Sequence, residues 1–131
     1  MRKISLLAII TIIVGIYFFF PHKVSAAIWC GGDGVAPTQR PLITAITSGP
    51  RVGEVTVRFS SVSGANRYFL LYGLTSSTYI YGAPDIGGAQ ATSYTIKSLV
   101  PGTRYFLKVG VANNCTLGPY SIEVNAWAAH N

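Results

Sequence analysis

Acidic side chains are scarce in this 131-residue chain. Asp33, Glu54, Asp85 and Glu123 are the four, against ten Lys and Arg. No two of them fall near each other on one strand face, so a paired-carboxylate acid–base centre has no raw material. Histidine is scarcer still. His22 lies near the N-terminal apolar run and His130 is one residue from the C-terminus. A Ser-His-Asp triad would have to use His130, and chain ends are usually mobile. Two cysteines and one downstream histidine cannot build a zinc site. The spacing of Cys30 and Cys115 also rules out a Cys-x-x-Cys redox pair. The Gly-rich stretch Cys30-Gly-Gly-Asp-Gly34 has no lysine and no helix to follow it, so it does not cradle phosphate. No metal, cofactor or enzymatic activity is expected.

The basic excess is smaller than it looks. Formal net charge is +6, but Arg2, Lys3 and Lys23 lie in the first 26 residues. The remainder carries seven basic residues against four acidic, a net +3. Arg40, Arg51, Arg58, Arg67, Lys97, Arg104 and Lys108 are scattered rather than clustered, which argues against a nucleic-acid partner.

Met1-Arg-Lys is followed by an uncharged apolar run from Ile4 to Phe20, then Pro21-His-Lys and Val24-Ser-Ala26. This is the order of an export signal: positive start, apolar middle, small residues at the cleavage site. Cleavage after Ala26 is expected. An uncleaved anchor is the alternative, although a run of this length spans only about 25 Å as helix against about 30 Å of hydrocarbon. Membrane contact is expected only through residues 4–20, and only if the segment stays. Either way the positive N-terminus stays inside and residues 27–131 are exported, secreted or held at the cell surface. Trp29 before Cys30 argues against a lipid anchor, since lipoprotein signals place a small residue there. In an exported chain two cysteines at opposite ends of one domain suggest a disulfide, Cys30–Cys115, worth up to about 4.5 kcal/mol by loop entropy.

Beyond residue 40 no helical periodicity is found. Strands are expected over Leu42–Thr47, Glu54–Ser61, Arg67–Gly73 and Thr78–Gly82, then on both sides of Pro101-Gly102, and finally over Tyr120–Trp127. The second alternates cleanly, with Val55, Val57 and Phe59 inward. In the first, Ile43/Ala45 and Leu42/Ile46 fit the inner face equally well. Ala83–Gly88 reads as a loop and Asn113–Pro119 as a turn. About seven short strands with Gly/Pro punctuation predict an all-β, antiparallel β-sandwich. Tyr94 and Ile96 share one face before the Pro101-Gly102 turn, and Tyr105, Leu107, Val109 and Val111 share one face after it. Tyr105, following Leu99-x-Pro-Gly, has the placing of a tyrosine corner, whose hydroxyl bonds back to the preceding connection.

Residues 41–128 resemble a fibronectin type III domain. The resemblance is carried by Val57-x-Phe59, by Tyr68-x-Leu70-x-Tyr72, and by Leu99-x-Pro101-Gly102-Thr103-x-Tyr105-x-x-x-Val109 with Asn113. It implies a seven-stranded, immunoglobulin-like sandwich after a loop segment at 27–40. The family usually has Trp where Phe59 stands, so neighbours such as Tyr68 must fill the missing volume. The resemblance also places the N-terminus and the loop after the sixth strand at one pole, where Cys30 and Cys115 can meet.

The family's members are extracellular interaction modules and spacers, so the resemblance implies a protein-binding or adhesion module at the cell surface. A protein partner or self-association is expected. An N-terminally anchored spacer or self-assembling surface subunit is the alternative. A carbohydrate-binding accessory module using Trp29, Tyr79, Tyr81 and Trp127 is the remote one. The Arg-Gly-Asp tripeptide of some members is absent. Parity supplies a candidate interface. If the alternating sets above face inward, Phe69, Leu71 and Phe106 face out, and in the sandwich they share a sheet flanked by Tyr79 and Tyr81. Contiguous exposed aromatics of this kind often mark an interface. The competing reading is that Ile28-Trp29, or Arg and Lys stems, cover them.

Overall fold

The strongest alternation in the chain, Val55-x-Val57-x-Phe59, is the centre of the smaller of two sheets. The computed structural model describes residues 34–114 and 116–131. The apolar run 4–20, the cleavage site, Ile28-Trp29 and both cysteines with their expected disulfide lie outside the described residues. Eight strands form two antiparallel sheets: β1 (Ile43–Ser48), β2 (Val55–Phe59), β3 (Arg67–Gly73), β4 (Tyr81–Gly88), β5 (Ser93–Ile96), β6 (Arg104–Asn113), β7 (Thr116–Tyr120) and β8 (Val124–Trp127). One sheet runs β1-β2-β5; the other runs β4-β3-β6-β7, with β8 also on β6. Among the described residues no helix is long and apolar enough to cross a membrane.

The core is the space between the two inner faces. Val55, Val57 and Phe59 of β2, Tyr68 and Leu70 of β3, and Tyr105, Leu107, Val109 and Val111 of β6 are all buried there. Each is apolar at every second position, because successive side chains on a strand point to opposite faces. Phe59 and Tyr68 rings meet at 5.2 Å, so Tyr68 does occupy space beside the smaller ring.

The two-fold ambiguity in β1 has a physical resolution. A bulge between Ile43 and Ala45 inserts one residue, so Ile43 pairs with Phe59 while Ile46 pairs with Val57. Both isoleucines therefore pack on the core, and Leu42 is left exposed. An extra residue switches the parity of everything after it.

Two segments differ from expectation. Ala83–Gly88, expected as a loop, continues β4, held to β3 by pairs such as Leu70↔Ala83 and Arg67↔Gly88. Its Gly, Pro and Asp content hides the strand because only Ile86 is buried in the core, with Ala83 packed against it, and the backbone ladder supplies the rest of the hold. Thr116–Pro119, expected within a turn, joins Tyr120 as β7 (Thr116–Tyr120), and the last strand, expected over Tyr120–Trp127, shrinks to β8. The ten-residue β6 is long enough to hold both short strands end to end. Between them Ser121 is buried, its N–H donating to Val109 O at 2.8 Å and its Oγ accepting from Val109 N at 3.0 Å. The strand breaks there because a side chain replaces one rung of the ladder. The count is therefore eight strands rather than seven.

Candidate binding face

The outward residues of β3 and β6 are interleaved by register. Arg67 lies opposite Ala112, Phe69 opposite Gly110, Leu71 opposite Lys108, and Gly73 opposite Phe106. On the far side of β6, Tyr120 lies opposite Gly110 and Trp127 opposite Arg104. Phe69 lies over Gly110 and meets the edge of Tyr120, centroids 5.6 Å apart and planes at 90°. The Lys108 ammonium sits between two rings, 4.5 Å from the Tyr79 centroid and 4.3 Å from that of Tyr120. Arg104 lies over Phe106 at 5.2 Å and Trp127 at 5.7 Å. Cations and aromatic faces thus alternate along this sheet, the arrangement in which a ring quadrupole attracts a nearby positive charge.

Phe69, Leu71 and Phe106 share this outer face, and Tyr79 reaches it from the β3–β4 connection. Tyr81 does not join them. It pairs with Tyr72 and its ring stacks on that of Tyr72 at 5.3 Å, on the opposite side of the sheet. Tyr79 and Tyr81 therefore do not form one sugar-stacking platform. The patch contains residues that parity alone does not pick out: Tyr120 and Leu117 from β7, and Trp127 from β8. They lie on strands whose register the sequence leaves open.

Glu123 anchors the loop end of this face. Ser76 Oγ donates to Glu123 Oε1 at 2.6 Å and the Ser77 N–H donates to Oε2 at 2.8 Å. The Tyr79 hydroxyl also donates to Oε2. Hydrogen bonds from Ser76, Tyr79 and Ser77, with the charge of Lys108, hold the Glu123 carboxyl below the usual carboxylate range. Burial, then the hydrogen bond to Glu123 and its charge, push the Tyr79 phenol up to about 12. The phenol's share of stability is therefore complete at neutral pH and is lost as pH rises from 10.0 through about 12. The share of Glu123 is present above its unfolded pKa and is lost as pH falls through its folded value. We expect phenolate absorbance, taken as wild type minus Tyr79→Phe, to report a group near 12. In Glu123→Gln the same difference should move down towards 10.0. Titration of Tyr79 at its ordinary value in the wild type would refute the contact.

Beside Phe69 the face dips. Phe69 and Leu71 of β3, Ala83 and Pro84 of β4, and Ala112 and Leu117 of the β6–β7 hairpin line a groove of about 480 Å3. Arg67 and Asn114 also line it, with Gly82. The groove exists because both neighbours of β3 carry small outward residues beside two large ones. Leu117 in the groove is 60 % exposed, and Trp127, farther along the same face opposite Arg104, is 56 % exposed.

At the opposite pole, Tyr105 Oη accepts from the N–H of Val100 at 3.1 Å, with Leu99 buried beside the turn. Tyr68 makes the same kind of contact, accepting from the buried N–H of Val62 at 2.7 Å. The sequence singled out Tyr105 by its turn, whereas nothing in the Ser63-Gly-Ala-Asn66 turn marks Tyr68 as more than a core ring.

No family model matches this chain, and no curated protein matches it. Solved structures do. The FN1–FN3 domains of chicken CNTN1 align with a TM-score of 0.63 at 22% identity, over 72% of this chain and 32% of that one. The chain has the fibronectin type III fold. The fn3 domain of human contactin 1 gives a TM-score of 0.62 at 22% identity, over 76% of this chain and 85% of that domain. A fibronectin type III-like protein from Clostridium thermocellum gives 0.55 at 20% identity, over 74% and 98%. This chain thus spans about a third of the chicken fragment and most of the single-domain structures. Within the fibronectin type III fold, the aromatic and cationic rows and the groove lie on the outer face of the larger sheet.

Proposed function

We propose that this chain is an exported protein-binding module that engages its partner through the outer face of the β4-β3-β6-β7/β8 sheet. The observation that carries the reading is a pair of cation–aromatic clusters on one face, Lys108 between Tyr79 and Tyr120 and Arg104 over Phe106 and Trp127. Aromatic and arginine side chains of this kind dominate binding energy at protein interfaces. Pre-stacking them on the sheet lowers the entropy lost when a partner docks. Export is supported by the signal-like order of residues 1–26. The reading assigns binding without catalysis, cofactor, metal or nucleic acid. In its support, Glu54 precedes β2 and is buried, Asp85 accepts from the Gly87 N–H, and both Glu123 oxygens are hydrogen-bonded.

The test uses the exported chain, its saturable binding to intact producing cells, and its self-association by sedimentation equilibrium. Phe106→Ser with Trp127→Ser should weaken whichever association occurs by at least about tenfold, the lower bound for loss of a hot-spot pair. Thermal unfolding of Trp127→Ser alone should change little, since that side chain is largely exposed. Unchanged binding and unchanged self-association would refute the face. Loss of self-association alone would favour an assembling surface subunit, since the same side chains would then meet their copies.

A further inference from the structure

The groove beside Phe69 has an occupant within reach in the same chain. The described chain begins at Gly34, which packs on the Asn113 backbone; Asn113 Nδ2 donates to Val35 O at 3.1 Å. Pro37 is buried, with its carbonyl against Gly118 of β7. The N-terminal segment is therefore tied to the tip of the β6–β7 hairpin, and that hairpin supplies Ala112, Asn114 and Leu117 to the groove. Upstream of Gly34 stand Ala27-Ile-Trp-Cys-Gly-Gly-Asp33. Ile28 and Trp29 are the large apolar residues of that segment.

We infer that Ile28-Trp29 fills the groove in cis and that a Cys30–Cys115 disulfide holds it there. Gly34 is five Cα–Cα steps from Trp29, a reach of up to about 17 Å. The tether is tighter still. Disulfide-linked Cα atoms lie about 5.5 Å apart and consecutive Cα atoms 3.8 Å apart, so Trp29 stands within roughly 9–10 Å of Cys115. Cys115 is one residue from Asn114 and two from Leu117, both groove-lining. A volume of about 480 Å3 lies in the range, roughly 300–1,000 Å3, of pockets that take sizeable apolar groups. The lining is apolar, like the two side chains. Asp33, next to Gly34, carries the charge opposite to that of Arg67 at the groove's end. Glycine at 31 and 32 lets the chain bend over the hairpin tip without a Cβ in the way. The binding face then gains an edge built from the N-terminal segment, and the tether rests on the disulfide reading.

The experiment uses the chain as exported, carrying Trp127→Phe so that Trp29 is the one tryptophan left of two. Trp29 fluorescence should be blue-shifted and quenched by acrylamide several-fold more slowly than in urea. Leu71→Ser with Leu117→Ser should restore fast quenching. Leu117→Ser alone should restore part of it, and because that side chain is already exposed the fold survives the change. Fast quenching in the starting chain, or protection indifferent to both groove variants, overturns the occupant. Alkylation of intact chain followed by mass spectrometry reads the tether. Two blocked thiols support it, whereas two alkylated thiols overturn the tether even if Trp29 is protected by the groove. Partner binding enters neither readout, so failure here and failure of the binding face are separable.

Discussion

Gly110→Ala is expected to destabilise the protein, against the ordinary rule for strands. Replacing glycine by alanine in a strand normally gains about 0.5–1 kcal/mol, because the unfolded chain loses freedom. At Gly110 a Cβ would overlap the Phe69 ring, reaching Cε1 at 2.9 Å and two other ring carbons more closely. Tyr120 meets the ring edge-on at 5.6 Å, so the ring can yield only towards the groove and at the loss of that contact. Overpacking of this kind costs about 1–3 kcal/mol, which outweighs the gain. The decisive measurement is a double-mutant cycle by urea unfolding. In a Phe69→Ala background the same Gly110→Ala change should stabilise. If its sign is the same in both backgrounds, Phe69 does not rest on Gly110.

Tyr68→Phe should cost more than Tyr105→Phe, although Tyr105 is the tyrosine the sequence advertises. Tyr68 is fully buried and its hydroxyl is the partner of the buried Val62 N–H. Removing it leaves that donor unpaired in the interior, a loss of about 1–3 kcal/mol. Tyr105 bonds the N–H of Val100, whose residue is 61 % exposed, so water can take the place of the hydroxyl. There the net hydrogen bond alone is lost, about 0.5–1.5 kcal/mol. Urea midpoints at unchanged slope give the order directly. Equal losses would mean that water already reaches Val62.

What the sequence disclosed follows from how burial is written into it. The inner faces of β2, β3 and β6 are apolar at every second residue, so Val55, Leu70 and Val109 were placed by parity alone. The same parity put Phe69, Leu71 and Phe106 outward. It failed where side chains do not hold the strand. β4 buries one large side chain, Ile86, and is otherwise held by its backbone, and Gly, Pro and Asp there read as a loop. Tyr81 reads as part of the outer patch because no count of residues carries across the irregular link from β3, whereas register with Tyr72 sets it on the other side of the sheet, still exposed. Tyr120 and Trp127 joined the patch through the break at Ser121, a residue whose role as a ladder substitute has no periodic signature. The Glu123 contacts span more than forty positions to Ser76 and Tyr79, and only tertiary structure brings them together.

The two flanks of the larger sheet each carry a proline, Pro84 in β4 and Pro119 in β7. An outer strand exposes unpaired N–H and C=O groups that another chain can extend into a fibre, and proline removes a donor from that row. In β4 the irregular pairing between Tyr68 and Leu70 interrupts the row further, and Asp85 adds an exposed charge. The margins of this sheet are thus poor templates for cross-β growth. Copies that meet through this sheet would do so face to face, through side chains that saturate after one partner, which favours finite complexes over open polymers.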